Sequence, residues 1–217
     1  MKICETFVSF CGEVNVGRLA FFIRAAGCNL KCGFCDTNYA KTESVDMTVD
    51  DLVQQAMNFN RVVITGGEPL LQKQDVGKFI EKVKRKNPNI VIEIETNGTI
   101  KPLGGKFLGD VIFNVSPKLC NSGNEYSKRI IYDTLGWFSE MDANFKFVIA
   151  SPDDIDEVNM LVNEFGISKR QVFLMPEGKT KEEQMYKMEA IARYAKANGY
   201  NISPRLHVLI YDNKRGV

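Results

Sequence analysis

The sequence predicts an α/β protein: an incomplete barrel of the TIM type, with about six βα units, mostly parallel strands, and a single domain over residues 1–217. Three observations predict it. Short β-rich apolar runs alternate along the chain with stretches of helical period. Strand runs such as Val62-Val63-Ile64 are apolar at consecutive positions, as expected of strands buried on both faces. The length, 217 residues, falls short of the ~250 typical of an eight-fold barrel. A doubly wound sheet shares the alternation; the partial barrel suits the length better.

The expected strands are Leu19–Arg24, Arg61–Thr65, Ile90–Glu95, Val111–Val115, Phe145–Ile149, Gln171–Met175 and Arg205–Tyr211, each short, apolar and bounded by turn residues. Between them lie helices with recognisable ends. Thr48, followed by Asp50 and Asp51, is an N-cap with acids in the first turn. Val76, Phe79, Ile80 and Val83 keep the spacing of one buried helical face. Pro152 and the acids after it open a helix running towards Phe165, and Lys181–Asn198 forms a last long helix stopped by Gly199.

Composition excludes several classes. Hydrophobic residues make up 44% and charged residues 25% of the chain, ordinary values for a globular protein. Net charge is +1, from 28 basic and 27 acidic residues, so no basic surplus argues for nucleic acid. Lys82-Val83-Lys84-Arg85-Lys86 reads as a solvated helix end. Apolar runs are about five residues long, far below the roughly 18 a spanning helix needs. The N-terminus lacks a signal-peptide h-region, and the expectation is a cytoplasmic protein without a membrane partner.

Polar and glycine-containing segments follow the strands directly: Thr65-Gly66-Gly67-Glu68-Pro69, Thr96-Asn97-Gly98, Ser116-Pro117-Lys118 and Met175-Pro176-Glu177-Gly178. Ligands bind at the carboxyl ends of parallel strands, so four such segments along one edge point to a site there. None is a phosphate-binding loop or a dinucleotide fingerprint.

Of six cysteines, three crowd into Cys28-Asn29-Leu30-Lys31-Cys32-Gly33-Phe34-Cys35, a glycine-containing loop after the first barrel strand. In a reducing compartment this points to metal rather than disulfides. A structural zinc site wants four ligands, and the candidates for a fourth are Cys4, Cys11, Cys120, His207 and, less usually, Asp36. A cubane iron–sulfur cluster also normally takes four cysteines; with three, one iron keeps an open position for a ligand. Cys4 and Cys120 read as buried thiols.

The C-x3-C-x2-C loop followed by a β/α pattern resembles the radical S-adenosylmethionine superfamily. Gly66-Gly67-Glu68-Pro69 resembles its second signature. The resemblance implies a [4Fe–4S] cluster on Cys28, Cys32 and Cys35, whose open iron is chelated by S-adenosylmethionine and which cleaves it to a hydrogen-abstracting radical. It covers nearly the whole chain. Phe7-Val8-Ser9-Phe10-Cys11-Gly12-Glu13, Gly17-Arg18, Phe22 to Cys28, Cys35-Asp36-Thr37, Glu95 to Thr99, Ser116-Pro117-Lys118, Arg205 to Val208 and the ending Asn213-Lys214-Arg215-Gly216-Val217 are similar to the 7-carboxy-7-deazaguanine synthase family.

That resemblance implies a lyase. It would convert 6-carboxy-5,6,7,8-tetrahydropterin to 7-carboxy-7-deazaguanine with loss of ammonia, for queuosine- or archaeosine-type deazapurines. It implies Mg²⁺, a homodimer, and an electron donor such as flavodoxin or ferredoxin. By residue, it places Phe34, Asp36, Gly66, Gly67, Glu68, Gly98, Ser116, Pro117, Lys118, Met175, Pro176, Glu177 and Gly178 at S-adenosylmethionine, and Thr37 at Mg²⁺. Phe10, Cys11, Gly12, Glu13, Arg24, Thr96, His207 and the terminal carboxylate of Val217 would meet the substrate. Arg24 suits the substrate carboxylate, which a planar guanidinium binds bidentately, although a strand-end ion pair is its plain alternative. His207, the only histidine, is expected in mid-strand on one face with Arg205 and Leu209, as a core residue or a substrate contact. Cys11 stands where the resemblance has Gln. Other readings are a radical activase acting on a partner protein and a non-enzymatic metal-binding module.

Overall fold

Alternation along the strands sets the layering. In the computed structural model, which describes residues 1–217, the strands are β1 (Lys2–Phe10), β2 (Leu19–Ala25), β3 (Val45–Asp46), β4 (Arg61–Gly66), β5 (Val91–Thr96), β6 (Val111–Val115), β7 (Asn144–Ile149), β8 (Val172–Pro176) and β9 (Asn201–Ile202). They form one sheet in the order β3-β1-β2-β4-β5-β6-β7-β8-β9. From β2 to β9 every neighbouring pair is parallel, while β1 runs antiparallel to both β2 and β3. The sheet is open, with β3 and β9 at its edges, as a partial barrel requires.

On one face, Phe21, Ile23, Val62, Ile64, Ile92, Ile94, Phe113, Val115, Phe145, Phe147, Val172 and Leu174 join a single core. The helices are, in chain order, α1 (Val49–Ala56), α2 (Lys73–Lys86), α3 (Tyr126–Arg129), α4 (Tyr132–Glu140), α5 (Asp154–Glu164), α6 (Lys181–Asn198) and α7 (Leu206–Tyr211), of which α1, α2, α4, α5 and α6 cover this core. Leu52, Phe79, Val83, Leu135, Phe138, Val158, Leu161 and Ile191 are among their contributions to the core. Full burial of such side chains contributes about 1.5–3 kcal/mol each. The opposite face carries the intervening residues, and many are polar: Arg24, Thr65, Glu95, Asn114 and Lys146. The strands are therefore buried on both sides, apolar on the helix side and mixed on the other, where Ala20, Phe22 and Val63 form a small apolar cluster.

Helix ends follow the local chemistry. Thr48 caps α1, its hydroxyl accepting from the Asp51 N–H at 3.1 Å. Val76, Phe79, Ile80 and Val83 are all buried on α2. A capping box joins Thr180 and Glu183 at the start of α6, and Gly199 ends that helix at φ 73°. Acids fill the first turn of α5, opposite the positive end of its dipole.

Cys120, expected as a buried thiol, is exposed at the start of a 3-10 turn, and Cys4 is only half-buried. Two parts of the chain also depart from the expected elements. Residues 205–211 are not a strand: Leu206–Tyr211 is a single short helix, with only Val208 buried. A short apolar run serves either conformation, and here β9 has already closed that edge of the sheet. Lys2–Phe10, too mixed in composition to stand out, is the longest strand. Phe7 on β1 stacks on Phe22 of β2 with ring centroids 5.0 Å apart. No helix is long and apolar enough to cross a membrane.

Phe138 is fully buried and meets Phe113 edge-on, with centroids 5.3 Å apart. Phe138→Ala is expected to lower unfolding stability by about 3–5 kcal/mol, measured as a fall in the urea midpoint at unchanged slope.

Candidate active site

The polar face of the sheet and the loops at the carboxyl ends of its strands enclose one cavity. Cys28, Cys32 and Cys35 all reach its wall and none is in a disulfide. Their loop leaves β2 directly and is fastened on several sides. The Gly27 N–H donates to Ala40 O at 2.8 Å, the Gly33 N–H to Ser122 O at 3.0 Å, and the Lys31 N–H to Asn124 Oδ1 at 2.9 Å. Burial pushes the Cys28 thiol up from its ordinary value, with the nearby Glu68 adding to it. No three His, Cys, Asp or Glu side chains converge tightly enough to hold a single metal ion. The donor set facing the cavity is three soft sulfurs spread around one loop, which suits a multi-iron cluster with a position left open.

The loop after β4 lies directly against the cysteine loop. The Gly67 N–H donates to Ala25 O at 3.2 Å, and the Glu68 N–H to Gly27 O at 2.8 Å. A β-carbon on Gly66 would lie 2.1 Å from Ala25 O, and one on Gly67 would lie 2.0 Å from Gly27 O. Gly66 also sits at φ 131°, so both glycines are required by this close approach. Glu68 is fully buried beneath them. Its carboxylate accepts from the Leu70 N–H at 3.0 Å, the Thr96 hydroxyl at 2.8 Å and the Asn97 N–H at 2.7 Å. It thereby ties the loop after β4 to the loop after β5. Burial raises its proton affinity, and those three donors act against the rise.

At the other end of the cavity, charges are paired. Arg24 Nε donates to Glu5 Oε1 at 2.8 Å, and its guanidinium lies over the Phe7 ring. Glu5 also accepts from the Tyr39 hydroxyl at 3.1 Å and from Arg215 Nε at 2.9 Å. Lys146 pairs with Glu13, and Arg205 with Asp36. Burial first, and then Arg205, press the Lys146 ammonium down to about 7, while the Glu13 carboxylate in contact with it acts the other way. Glu95 is pushed up, chiefly by burial, and accepts from the Thr65 hydroxyl at 2.7 Å. Ser9 Oγ and Arg205 Nε are buried with no hydrogen-bond partner in the chain. Both residues line the cavity, so polar atoms of a ligand would complete them.

Most of the expected residues meet on this wall. Phe34, Asp36, Thr37, Gly66, Gly67, Ser116, Lys118, Met175, Pro176, Glu177 and Gly178 line it, as do Phe10, Gly12, Glu13, Arg24, Thr96, His207 and Val217. Thr37 precedes a short 3-10 turn without capping it, which leaves its hydroxyl 3.7 Å from Cys35 Sγ. Lys118 Nζ donates to the Ser116 carbonyl at 2.9 Å and its hydroxyl at 2.8 Å.

Four expected residues stand off the wall. Glu68 is used up as the bracket just described. Gly98 is glycine for packing, since at φ 79° an added β-carbon would meet Val115 at 2.7 Å and Leu135 at 2.9 Å. Pro117 is buried behind Ser116 and Lys118. Cys11 sits in a small apolar cluster with Ala20, Phe22 and Val63, where burial pushes its thiol up to about 12. The residue that departs from the family pattern is therefore not itself on the cavity wall. His207 reaches the wall from α7 rather than from a strand; a β-carbon on Gly12 would lie 2.1 Å from its Nδ1, so Gly12 makes room for the ring.

Ser9, Thr65, Glu95, Asn114, Lys146 and Arg205 also line the cavity; the sequence assigned none of them a role, although all but Asn114 and Lys146 lie in its quoted motifs. The signal was present as a period of two: Glu93 and Glu95 on β5, Asn114 on β6 and Lys146 on β7 each interrupt an otherwise apolar strand.

Comparison with known proteins bears on this geometry. The family described as the radical SAM superfamily matches residues 22–103, from β2 across the cysteine loop to the loop after β5. A 7-carboxy-7-deazaguanine synthase of Pyrobaculum aerophilum is 34% identical, over 100% of this chain and 97% of its own. This chain belongs to the 7-carboxy-7-deazaguanine synthase family. Other members of the 7-carboxy-7-deazaguanine synthase family agree: that of Halobacterium salinarum is 32% identical over 98% of this chain and 91% of its own, and that of Clostridium acetobutylicum 30% over 100% and 99%. A solved structure described as native anSMEcpe with bound AdoMet and Cp18Cys peptide shares the fold at TM-score 0.50 and 18% identity, covering 83% of this chain and 61% of that one. The 7-carboxy-7-deazaguanine synthases are radical lyases, and the cofactors that follow from membership are a [4Fe–4S] cluster and S-adenosylmethionine.

Burial first, and then Arg205, lower the His207 imidazole to about 4, from an ordinary value of about 6.5. Between those values the folded chain binds fewer protons than the unfolded one, so stability present above pH 6.5 is lost as pH falls through the window. The urea midpoint of the wild type should therefore drop more steeply from pH 7 to pH 4.5 than that of His207→Gln; parallel curves would refute a neutral, buried imidazole.

Proposed function

We propose that the chain converts 6-carboxy-5,6,7,8-tetrahydropterin to 7-carboxy-7-deazaguanine and ammonia. Substrate equals product plus ammonia atom for atom, so no net oxidant is required and the cofactor can be returned unchanged. When bound, the cluster and S-adenosylmethionine supply hydrogen-atom abstraction by one-electron chemistry. The observation that carries the reading is that three cysteines and a wall of charged, hydrogen-bonding side chains share one cavity.

In this reading Cys28, Cys32 and Cys35 hold the cluster. Gly66, Gly67, Ser116 and Lys118 bind the methionyl part of the cofactor, the lysine as a cation for its carboxylate. Phe34 and Met175 to Gly178 flank the adenine. Arg24 binds the substrate carboxylate: Glu5 engages Nε and leaves the two terminal amino groups to form a bidentate contact. Glu13, held by Lys146, reads the amino-pyrimidine edge, with Ser9, Phe10 and Gly12 beside it. Asp36 keeps Arg205 in place, and His207 and Val217 complete that wall. Thr37 offers a hard oxygen to Mg²⁺, a cation that takes few protein ligands and keeps its waters.

Turnover tests the reading. Reconstituted under anaerobic conditions with Mg²⁺, the enzyme should form 7-carboxy-7-deazaguanine with S-adenosylmethionine recovered, and Cys32→Ala should form none. Arg24→Gln should raise KM about ten- to hundred-fold, the loss of one charged hydrogen-bonded contact. Stoichiometric 5′-deoxyadenosine without deazapurine would favour action on a different substrate.

A further inference from the structure

We propose that Asn124 is a positioning residue for the cluster: its side-chain amide donates to the Cys32 sulfur, and this hydrogen bond raises the potential at which the cluster is reduced. The inference rests on the cluster reading above. Asn124 lies on the turn after β6, far from Cys32 in sequence, yet its Nδ2 is 3.3 Å from Cys32 Sγ. Nothing in the cysteine motif points to it.

The geometry fixes which end of the amide faces the sulfur. Oδ1 of Asn124 accepts from the Lys31 N–H at 2.9 Å. A flipped amide would set its NH2 against that N–H and lose the bond, so Nδ2 must face Cys32. Nδ2 also reaches Ser122 Oγ at 3.2 Å. The turn is held from behind by the buried Arg129, whose Nε donates to Asn124 O at 3.2 Å and whose Nη1 donates to Lys118 O at 2.7 Å and Glu157 Oε1 at 2.6 Å. Gly123, at φ 74°, sets the bend that presents Asn124. A side chain clasped at both ends in this way is a fixed dipole.

Reduction adds one electron to the cluster. An N–H dipole aimed at a ligating sulfur stabilises the more negative state more, which raises the potential. Losing the donor should therefore make reduction harder without removing any ligand.

Two substitutions separate tuning from simple clamping of the loop. Asn124→Asp keeps an oxygen for the Lys31 N–H but replaces the donor with a carboxylate oxygen. Asn124→Ala removes both contacts. In EPR-monitored redox titrations of anaerobically reconstituted proteins, the potential should fall from wild type to Asn124→Ala and further to Asn124→Asp. A tenfold loss in the reduction equilibrium corresponds to 59 mV for one electron. Equal potentials in three fully loaded proteins would overturn the inference. Iron and sulfide content keeps the two readings apart: a wild-type chain that takes up no cluster sinks the cluster reading itself. Should both variants fail to load, a crystal structure of the loaded wild-type enzyme decides, since Nδ2 within hydrogen-bond reach of Cys32 Sγ supports the role and an amide turned away from it overturns it.

Discussion

The site depends on a mostly parallel sheet that is apolar on one face and carries polar and charged side chains on the other. Side chains alternate along each strand, so one set of residues can build the core beneath the helices while the next set lines a cavity. Phe145 and Phe147 belong to the core, and Lys146 between them belongs to the cavity wall. The same division holds for Ile94 and Glu95, and for Phe113 and Asn114. Charged groups held this deep lose their hydration, and a buried pair seldom adds stability over an apolar replacement. On the wall Lys146 is paired with Glu13 and Arg205 with Asp36; behind it, Glu93 is held by Arg61 and two asparagine amides. Polar groups held there at such expense are those that recognition of a polar, charged ligand, as proposed above, requires.

The second requirement is a fixed loop for the three cysteines. Their positions are set less by the loop itself than by what touches it: the loop after β4 from one side and the turn after β6 from the other. Gly66 and Gly67 allow the first contact, because any side chain there would collide with Ala25 or Gly27. Glu68 then joins that loop to the one after β5 through two hydrogen bonds, from the Thr96 hydroxyl and the Asn97 N–H. An acid that the signature places beside the cofactor thus also acts as an internal strut. The loops around the cysteines are thus tied to one another by hydrogen bonds, an arrangement that suits the fixed orientation a reactive cofactor needs.

Much of this was legible in the sequence, and for physical reasons. The parallel α/β architecture follows from alternating periods, and helix ends follow from Thr48 and Gly199. The cysteine spacing marked the centre of the site, and the strand-end motifs marked its rim. The remainder depends on long-range contacts that no local pattern carries. Residues 205–211 are as compatible with a strand as with a helix until the position of β9 is known. Cys11 could not be placed inside or outside the cavity without the register of β1 on β2. Asn124 meets Cys32 only because β6 returns its following turn to the cysteine loop. Lys146 and Asn114 were the readable exceptions, since a lone polar residue within an apolar strand marks the inner face of the barrel.

The central claim is that Cys28, Cys32 and Cys35 hold a cluster with one iron open to S-adenosylmethionine. Electron–nuclear double resonance of the reduced wild-type enzyme, with S-adenosylmethionine carrying ¹⁵N in its amine and ¹⁷O in its carboxylate, tests it most directly. Hyperfine couplings from both labels to the cluster are predicted. A loaded cluster that shows neither coupling would contradict the account.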